Sequence, residues 1–389
     1  MKKINTLLAA SLLALSTNAF AGDCIALAGR YTVGKSESAD YASMADVTNA
    51  LKCGGVSGPV TFHLEGGTYK ERVVIPAIEG ASNINTITIE SSGDATISFG
   101  TTDATMVLNG AQYVSFENIG IDHKAATYGN CMRIDGNSGN IRFKSVVFEG
   151  VECARTGANS ATIYVTANAQ KSAVAFEDCE INNGSSGICM GGMNAANMDS
   201  KTTITGSLFF NQYEAGLVLT NQDAPVITNN VFSTLSAYNG FKAISMDNIT
   251  NNMIISNNII NAANGTIGLA MNNCKSQSTS YGQVSNNSIA VGGNGQKFGI
   301  YLTGTTDNQL LTFNRVKMME TSKDQAYYKN AGQGSNINLM NTMFYDLNTG
   351  SYTIIGNTYK DAFNQVPSNN SPLTAYANGI SVEKVSPIK

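Results

Sequence analysis

From about residue 106 the chain alternates two short apolar phrases that keep step with each other for some two hundred residues. The first reads apolar residue, two residues, turn position, one residue, apolar residue. It begins as Phe116/Ile119/Ile121, Phe143/Val146/Phe148, Phe176/Cys179/Ile181 and Ile204/Ser207/Phe209. It then continues with asparagine at the turn, at Asn230, Asn258, Asn287 and Asn314, with a weaker member at Asn341 and Met343. The turn positions advance by 23 to 33 residues, about 27 per repeat. The second phrase pairs two apolar residues one apart, from Met106/Leu108 and Met132/Ile134 to Leu269/Met271 and Ile300/Leu302.

Both phrases have the period of two expected of strands buried on one face, and both are too short for helices. A unit of two or three such strands cannot bury its apolar face alone, so neighbouring units must stack and share a core. Stacking turns equivalent positions into columns. Asn230, Asn258, Asn287, Asn314 and Asn341 then form an internal ladder whose amides satisfy buried backbone groups at the turn. The pattern predicts an all-β chain, a single-stranded right-handed parallel β-helix.

An open coil is an unpaired sheet edge, so both ends need covers. Ser43 and Asp46, then Met44, Val47 and Leu51 at helical spacing and Gly54 after Cys53, predict a short capping α-helix within an N-terminal cap spanning 22–58. The repeat fades over 360–389, which is expected to close the other end as loop plus a strand at Ile380 to Val382. With no linker or composition shift between the ends, 22–389 reads as one domain. End-to-end fibres are disfavoured by the cap, and a monomer is expected.

The first 21 residues carry Lys2 and Lys3, an apolar run from Leu7 to Leu15 and Ala19-Phe20-Ala21. They read as a bacterial secretory signal peptide cut after Ala21, which places the mature chain outside the cell, at the cell surface or in the periplasm. No later stretch reaches the ~18 to 20 apolar residues of a membrane span. The composition suits a β-rich exported surface, with 38 Gly, 16 Tyr, no Trp and 13% charged residues. A net charge of -4 argues against nucleic acid or anionic lipid as partner. Seven cysteines enter an oxidising compartment, so at least one stays unpaired within the chain. Cys131 with Cys153, about one coil apart, is the first candidate pair, and Cys24 with Cys53 the next. Their spacings match no metal site.

The stretch Tyr31 to Ile75 resembles the opening of pectin methylesterase-like proteins of the pectin-lyase-like superfamily. The resemblance is carried by Asp40-Tyr41-Ala42-Ser43-Met44, Val60-Thr61-Phe62-His63-Leu64, Gly67-Thr68-Tyr69-Lys70-Glu71 and Val73-Val74-Ile75. It looks closest to the N-terminal modules of large secreted or surface β-helix proteins, and it implies a role with polysaccharides. The family's catalytic motifs do not carry over. Gln222-Asp223-Ala224 is a poor echo of the first esterase aspartate motif, the second has no counterpart, and the Gly-His-Gly turn of polygalacturonases is missing.

In β-helix enzymes the groove lies along the outer face of the first sheet, here the second phrase. Its outward column reads Arg133, Tyr164, Cys189, Val218, Ser245, Ala270 and Tyr301, and the next Asp135, Thr166, Gly191, Thr220, Asp247, Asn272 and Thr303. A lyase needs a base beside a cation, Ca²⁺ for a uronate, held by carboxylates, and Arg133 with Asp135 is the close pairing on offer. A glycosidase needs two carboxyls, for which Asp223 and Asp247 are the candidates. Tyr164 and Tyr301 offer faces to stack on sugar rings, with Asp247 and Asn272 as polar ligands nearby. Asp122-His123-Lys124 reads as an exposed turn, with proton transfer as its alternative. Two functions follow. The first is a non-catalytic glycan-binding, adhesive or structural protein, favoured by the missing motifs. The second is a lyase, esterase or hydrolase acting on pectin-like or other acidic glycans.

Overall fold

The computed structural model describes residues 24–346 apart from 101–102, 126, 169–170, 235, 263, 293–295, 320–324 and 332–335. It also describes the strands Ser351–Ile355, Tyr359–Lys360 and Glu383–Val385. The expected signal peptide, most of the expected closing segment and the strand expected at Ile380 to Val382 lie outside the described residues.

The chain is a right-handed parallel β-helix of about ten coils. A representative coil contributes a first strand (Met132–Asp135), a second (Gly139–Lys144) and a third (Val147–Glu149). Each pairs in parallel with its counterparts one coil below and one above. First and second strands share one 24-stranded sheet, and third strands form a 13-stranded sheet. In this coil the first strand alternates: inward Met132 and Ile134 are buried, while outward Arg133 and Asp135 are half-exposed.

Inward side chains stack as columns because the registers coincide. Phe116, Phe143 and Phe176 lie ring on ring at 5.2 and 4.9 Å, and Phe209 on Phe232 at 4.4 Å. Between second and third strands every coil makes the same corner. One residue takes a left-handed conformation, as in Asn229, Asn257 and Asn286 (φ 60°, 57° and 56°). Asparagine tolerates this region better than most residues. The next residue turns inward as a rung. Asn258 Oδ1 accepts from the Asn230 N–H at 3.0 Å and from Asn230 Nδ2 at 3.0 Å. Its own Nδ2 donates to Asn287 Oδ1 at 2.9 Å and to the Ile227 carbonyl at 3.0 Å. Ser207 and Cys179 extend the column downward without the amide.

The last rung differs from the expected one by a single residue. Register sets Leu311 opposite Leu339, so Asn341 (φ 48°) falls beside Phe313 (φ 55°) in the left-handed position. Thr342 takes the rung and donates to the Leu311 carbonyl at 3.3 Å. An asparagine suits both positions, and a lone one went to the strained position.

The capping helix runs Met44–Gly54 and buries Met44, Val47, Thr48 and Leu51 over the first coil. Ser43 caps its N-terminus by accepting from the Asp46 N–H at 3.1 Å. Glu71 adds a second cap, its two oxygens accepting from the Met44 and Ala45 N–H groups at 2.9 Å each. The C-terminal cap is Gly55 (φ 64°), one residue beyond the expected Gly54. At the far end the parallel repeat stops earlier than expected. Ser351–Ile355 folds back antiparallel on Thr342–Asp346, and Glu383–Val385 joins it antiparallel.

Cys24 is bonded to Cys53, tying the chain's start to the helix's last turn. The pairing placed first, Cys131 with Cys153, is not made, and both are free. Cys131 points into the core at the start of a first strand, whereas Cys153 sits half-exposed in the loop after a third strand, so one repeat of sequence does not align them.

Replacing Asn258 by alanine leaves the Asn230 N–H and amide and the Ile227 carbonyl without their partners. We expect a loss of about 3 kcal/mol or more in urea-induced unfolding; a loss under about 0.5 kcal/mol would remove the ladder from the stabilising contacts. Intact mass should show one disulfide, and the denatured chain should yield five reactive thiols. In the native protein these thiols should react slowly at neutral pH, since burial pushes Cys189 to about 11 and Cys179 to about 12.

Candidate functional site

On the outer face of the first strands, register places Arg133, Tyr164, Cys189, Val218, Ser245, Ala270 and Tyr301 in one column, as the sequence repeat required. Thr220, Asp247, Asn272 and Thr303 follow in the next. Tyr164 and Tyr301 are five coil steps apart, about 24 Å at the spacing of neighbouring strands. Small and apolar side chains form the floor between them.

At the lower end Arg133 is held from two sides. Its Nε donates to Asp135 at 2.8 Å and its NH1 to Asp103 at 2.7 Å. Asp103 also accepts from Arg72 at 2.6 Å, and Asp135 from the Thr166 hydroxyl at 2.7 Å. Partial burial works to raise the Asp103 carboxyl, but the Ala104 N–H and the guanidiniums of Arg133 and Arg72 outweigh it and hold it below its usual value. Tyr164 lies beside this cluster, its phenol pushed up by burial first and by Cys189 and Asp135 next.

The carboxylate pair proposed for hydrolysis is not assembled. Asp247 stands opposite Thr220 and Asp223 opposite Thr250, so the two are three residues out of register. Each serves the next coil. Asp247 accepts from Asn272 at 2.8 Å and Asn273 at 3.1 Å, and Asp223 from Thr250 at 3.0 Å and from Asn251. The donor set does not fit Ca²⁺ either, because the Arg133 guanidinium bridges Asp103 and Asp135 where a cation would sit. Among the described residues no three acidic, histidine or cysteine side chains converge as metal ligands.

Asp122-His123-Lys124 is not an exposed turn. It ends the third strand Gly120–His123, with His123 buried and its Nδ1 3.0 Å from the Thr105 hydroxyl, while Lys124 pairs with Asp122 at 2.7 Å. His63 lies outward on the second strand Val56–Leu64, 3.4 Å from Glu90.

Sequence reasoning missed Arg72 and Asp103, which lie in connections where the repeat gives no register. It also missed an interior polar stack at the first turn, where Lys171 and Asp199 are fully buried. Asp199 accepts from the Lys171 N–H at 2.7 Å and from Gln222 Nε2 at 3.3 Å. Burial lowers the Lys171 amine and raises the Asp199 carboxyl. Two recesses lie off this face. One of about 390 Å³ sits over third strands between Thr96, Asp122 and Glu149, and one of about 460 Å³ at the first turn beside Asn251, Lys275 and Asn308.

No family model matches the chain, and no curated protein matches it in sequence. Solved structures with the same fold include the Dettilon tailspike protein, at TM-score 0.51 and 13% identity, over 74% of this chain and 56% of that one. Pectate lyase Pel9A gives 0.51 and 15%, over 78% and 80%. PfbA, a surface adhesin of Streptococcus pneumoniae, gives 0.50 and 12%, over 81% and 94%. The fold is thus the parallel β-helix of these proteins. Among the described residues no helix is long and apolar enough to cross a membrane.

The folded state holds the Asp103 carboxyl below its unfolded value, so its contribution to stability is present above the ordinary carboxylate range and lost as pH falls below that range through the depressed folded value. Arg133→Ala should raise the Asp103 pKa toward that range in a carboxyl-resolved NMR titration; an unchanged value would show that Arg72 and the backbone suffice.

Proposed function

We propose that the mature chain is an exported β-helix that binds polysaccharide along the outer face of its first strands without cleaving it. One observation carries this reading: Asp103, Asp135, Asp223 and Asp247 are each bonded to a side chain of a neighbouring coil rather than held open toward a substrate. A general acid or base must reach the reacting atom, and these groups spend that reach on the scaffold. The two tyrosines and the low floor between them offer stacking surface instead. A surface adhesin among the similar folds is consistent with binding alone, and a pectate lyase keeps cleavage as the competing outcome. The leader 1–21 supports export, to the medium or the cell surface.

The test is to incubate the mature protein with plant and algal polysaccharides, following retention together with release of reducing or unsaturated ends. Retention without products is expected, and Tyr164→Ala or Tyr301→Ala should weaken it about fivefold, the worth of about 1 kcal/mol of ring contact. Product release abolished by Asp223→Ala or Asp247→Ala would overturn the reading in favour of an enzyme.

A further inference from the structure

Away from the first strands, four successive coils share an unusual surface. The runs 202–212, 225–234, 253–262 and 281–292 each span a second strand, the ladder corner and a third strand, and none contains a charged residue. The coil below them carries Glu177, Asp178 and Glu180 in the same positions, and the coil above Arg315 and Lys317. Across the whole chain 13% of residues are charged, so four stacked runs with none stand apart from the coils on either side. A gap of this size, bounded by charge on both sides, marks a surface of different use.

Its polar groups are also arranged differently. Thr205, Thr228, Ser256 and Ser285 stack in register along the outward edge of the second strands. Asn229, Asn257 and Asn286 stand beside them at the left-handed corner, all exposed. Thr228 donates to Thr205 at 3.1 Å. The hydroxyls of Ser256 and Ser285 and the three corner amides make no side-chain bond among the described residues. Other left-handed asparagines do: Asn183 donates to Glu149, Asn211 to Asn183 and Asn273 to Asp247. Two open columns of hydroxyls and amides therefore face solvent at the one-coil pitch of about 4.8 Å.

Two exposed phenylalanines lie at the margins. Phe210, 44% exposed, ends the third strand of the lowest uncharged coil, in the column of Ser233, Asn261 and Ala290. Phe313, 57% exposed, takes the left-handed corner one coil above the uncharged runs, a conformation that costs a bulky residue energy.

We propose that this face binds a single extended chain of an uncharged polysaccharide lying along the helix axis. Hydroxyls and amides both donate and accept, as sugar hydroxyls do, and the one-coil pitch is close to the length that one pyranose adds to an extended glycan. A charged polymer would lose hydration here and gain no counter-charge. The proposal does not depend on the first-strand face, which lies across the first turn and has its own variants.

The test measures retention of the mature protein on microcrystalline cellulose and insoluble mannan, with a polygalacturonate gel as the acidic control. Retention on a neutral polymer is expected. Ser256→Glu/Ser285→Glu and Ser256→Lys/Ser285→Lys should each reduce it at least tenfold. Where a charged variant lowers the thermal midpoint, Ser256→Ala/Ser285→Ala decides, with a loss of severalfold expected. The proposal is overturned if no neutral polymer retains the protein, if the serine variants bind as before, or if the lysine variant binds more tightly. A dimer in sedimentation that the glutamate variant dissolves would overturn it in favour of self-association. Retention on polygalacturonate alone would leave the first-strand reading standing and remove this one.

Discussion

Each coil of this solenoid must turn sharply between its second and third strands while burying the peptide groups that make the turn. Those groups cannot reach water, and an unpaired buried N–H costs as much as a lost hydrogen bond or more. The corner meets the demand with two adjacent residues. One accepts a left-handed backbone, and the next sends an amide inward that bonds the N–H of the coil below and the carbonyl behind it. Because each amide also bonds the next amide, the rungs are read across coils, and strand register follows from the corner. Lower in the molecule cysteine and serine hold the rung, and stacked phenylalanines on either side share the task of alignment.

Register fixed at the corner has a consequence for the surface. Once inward positions are stacked, outward positions are stacked as well, and any residue type repeated in the sequence becomes a column. On the first strands the columns place acidic groups within reach of donors one coil away, and bonds form along the helix axis. Asp135 beneath Thr166, and Asp247 beneath Asn272 and Asn273, are results of this stacking. Such bonds stiffen a scaffold and occupy the atoms that catalysis would need free.

The parts of the molecule legible from sequence are those that repeat. The two phrases predicted a coil of two or three strands and its columns, and the pattern from Ser43 to Gly54 predicted the capping helix, since each was defined by spacing and local chemistry. Asn341 shows where such reading fails. Asparagine serves both corner positions, so a lone one does not reveal which it occupies, and the register of the neighbouring strand decides. The connections were opaque for a different reason. Arg72, Asp103 and Lys171 lie where length varies from coil to coil, and only the assembled structure brings them to the first-strand face or the interior turn. The position of His123 was misread because a polar triplet at a strand end resembles a turn until burial of the ring is known.

The absence of charge in four coils was visible in the sequence as well, but only register gives it meaning. Spread along the chain, the four uncharged runs are separated by segments that contain Glu214, Asp223, Lys242, Asp247 and Lys275. Wound into coils, they superpose, and the intervening charges go to other faces. A solenoid can thus give each face its own chemistry without any face interrupting another, because the corner holds all of them in step. The first-strand face is rich in lateral bonds and the second-strand face leaves its hydroxyls open. That difference follows from residue choice alone, on one common backbone. Selection for solubility would favour charge on an exposed sheet. Four coils free of it in register give this face a surface chemistry that neither the coil below nor the coil above shares.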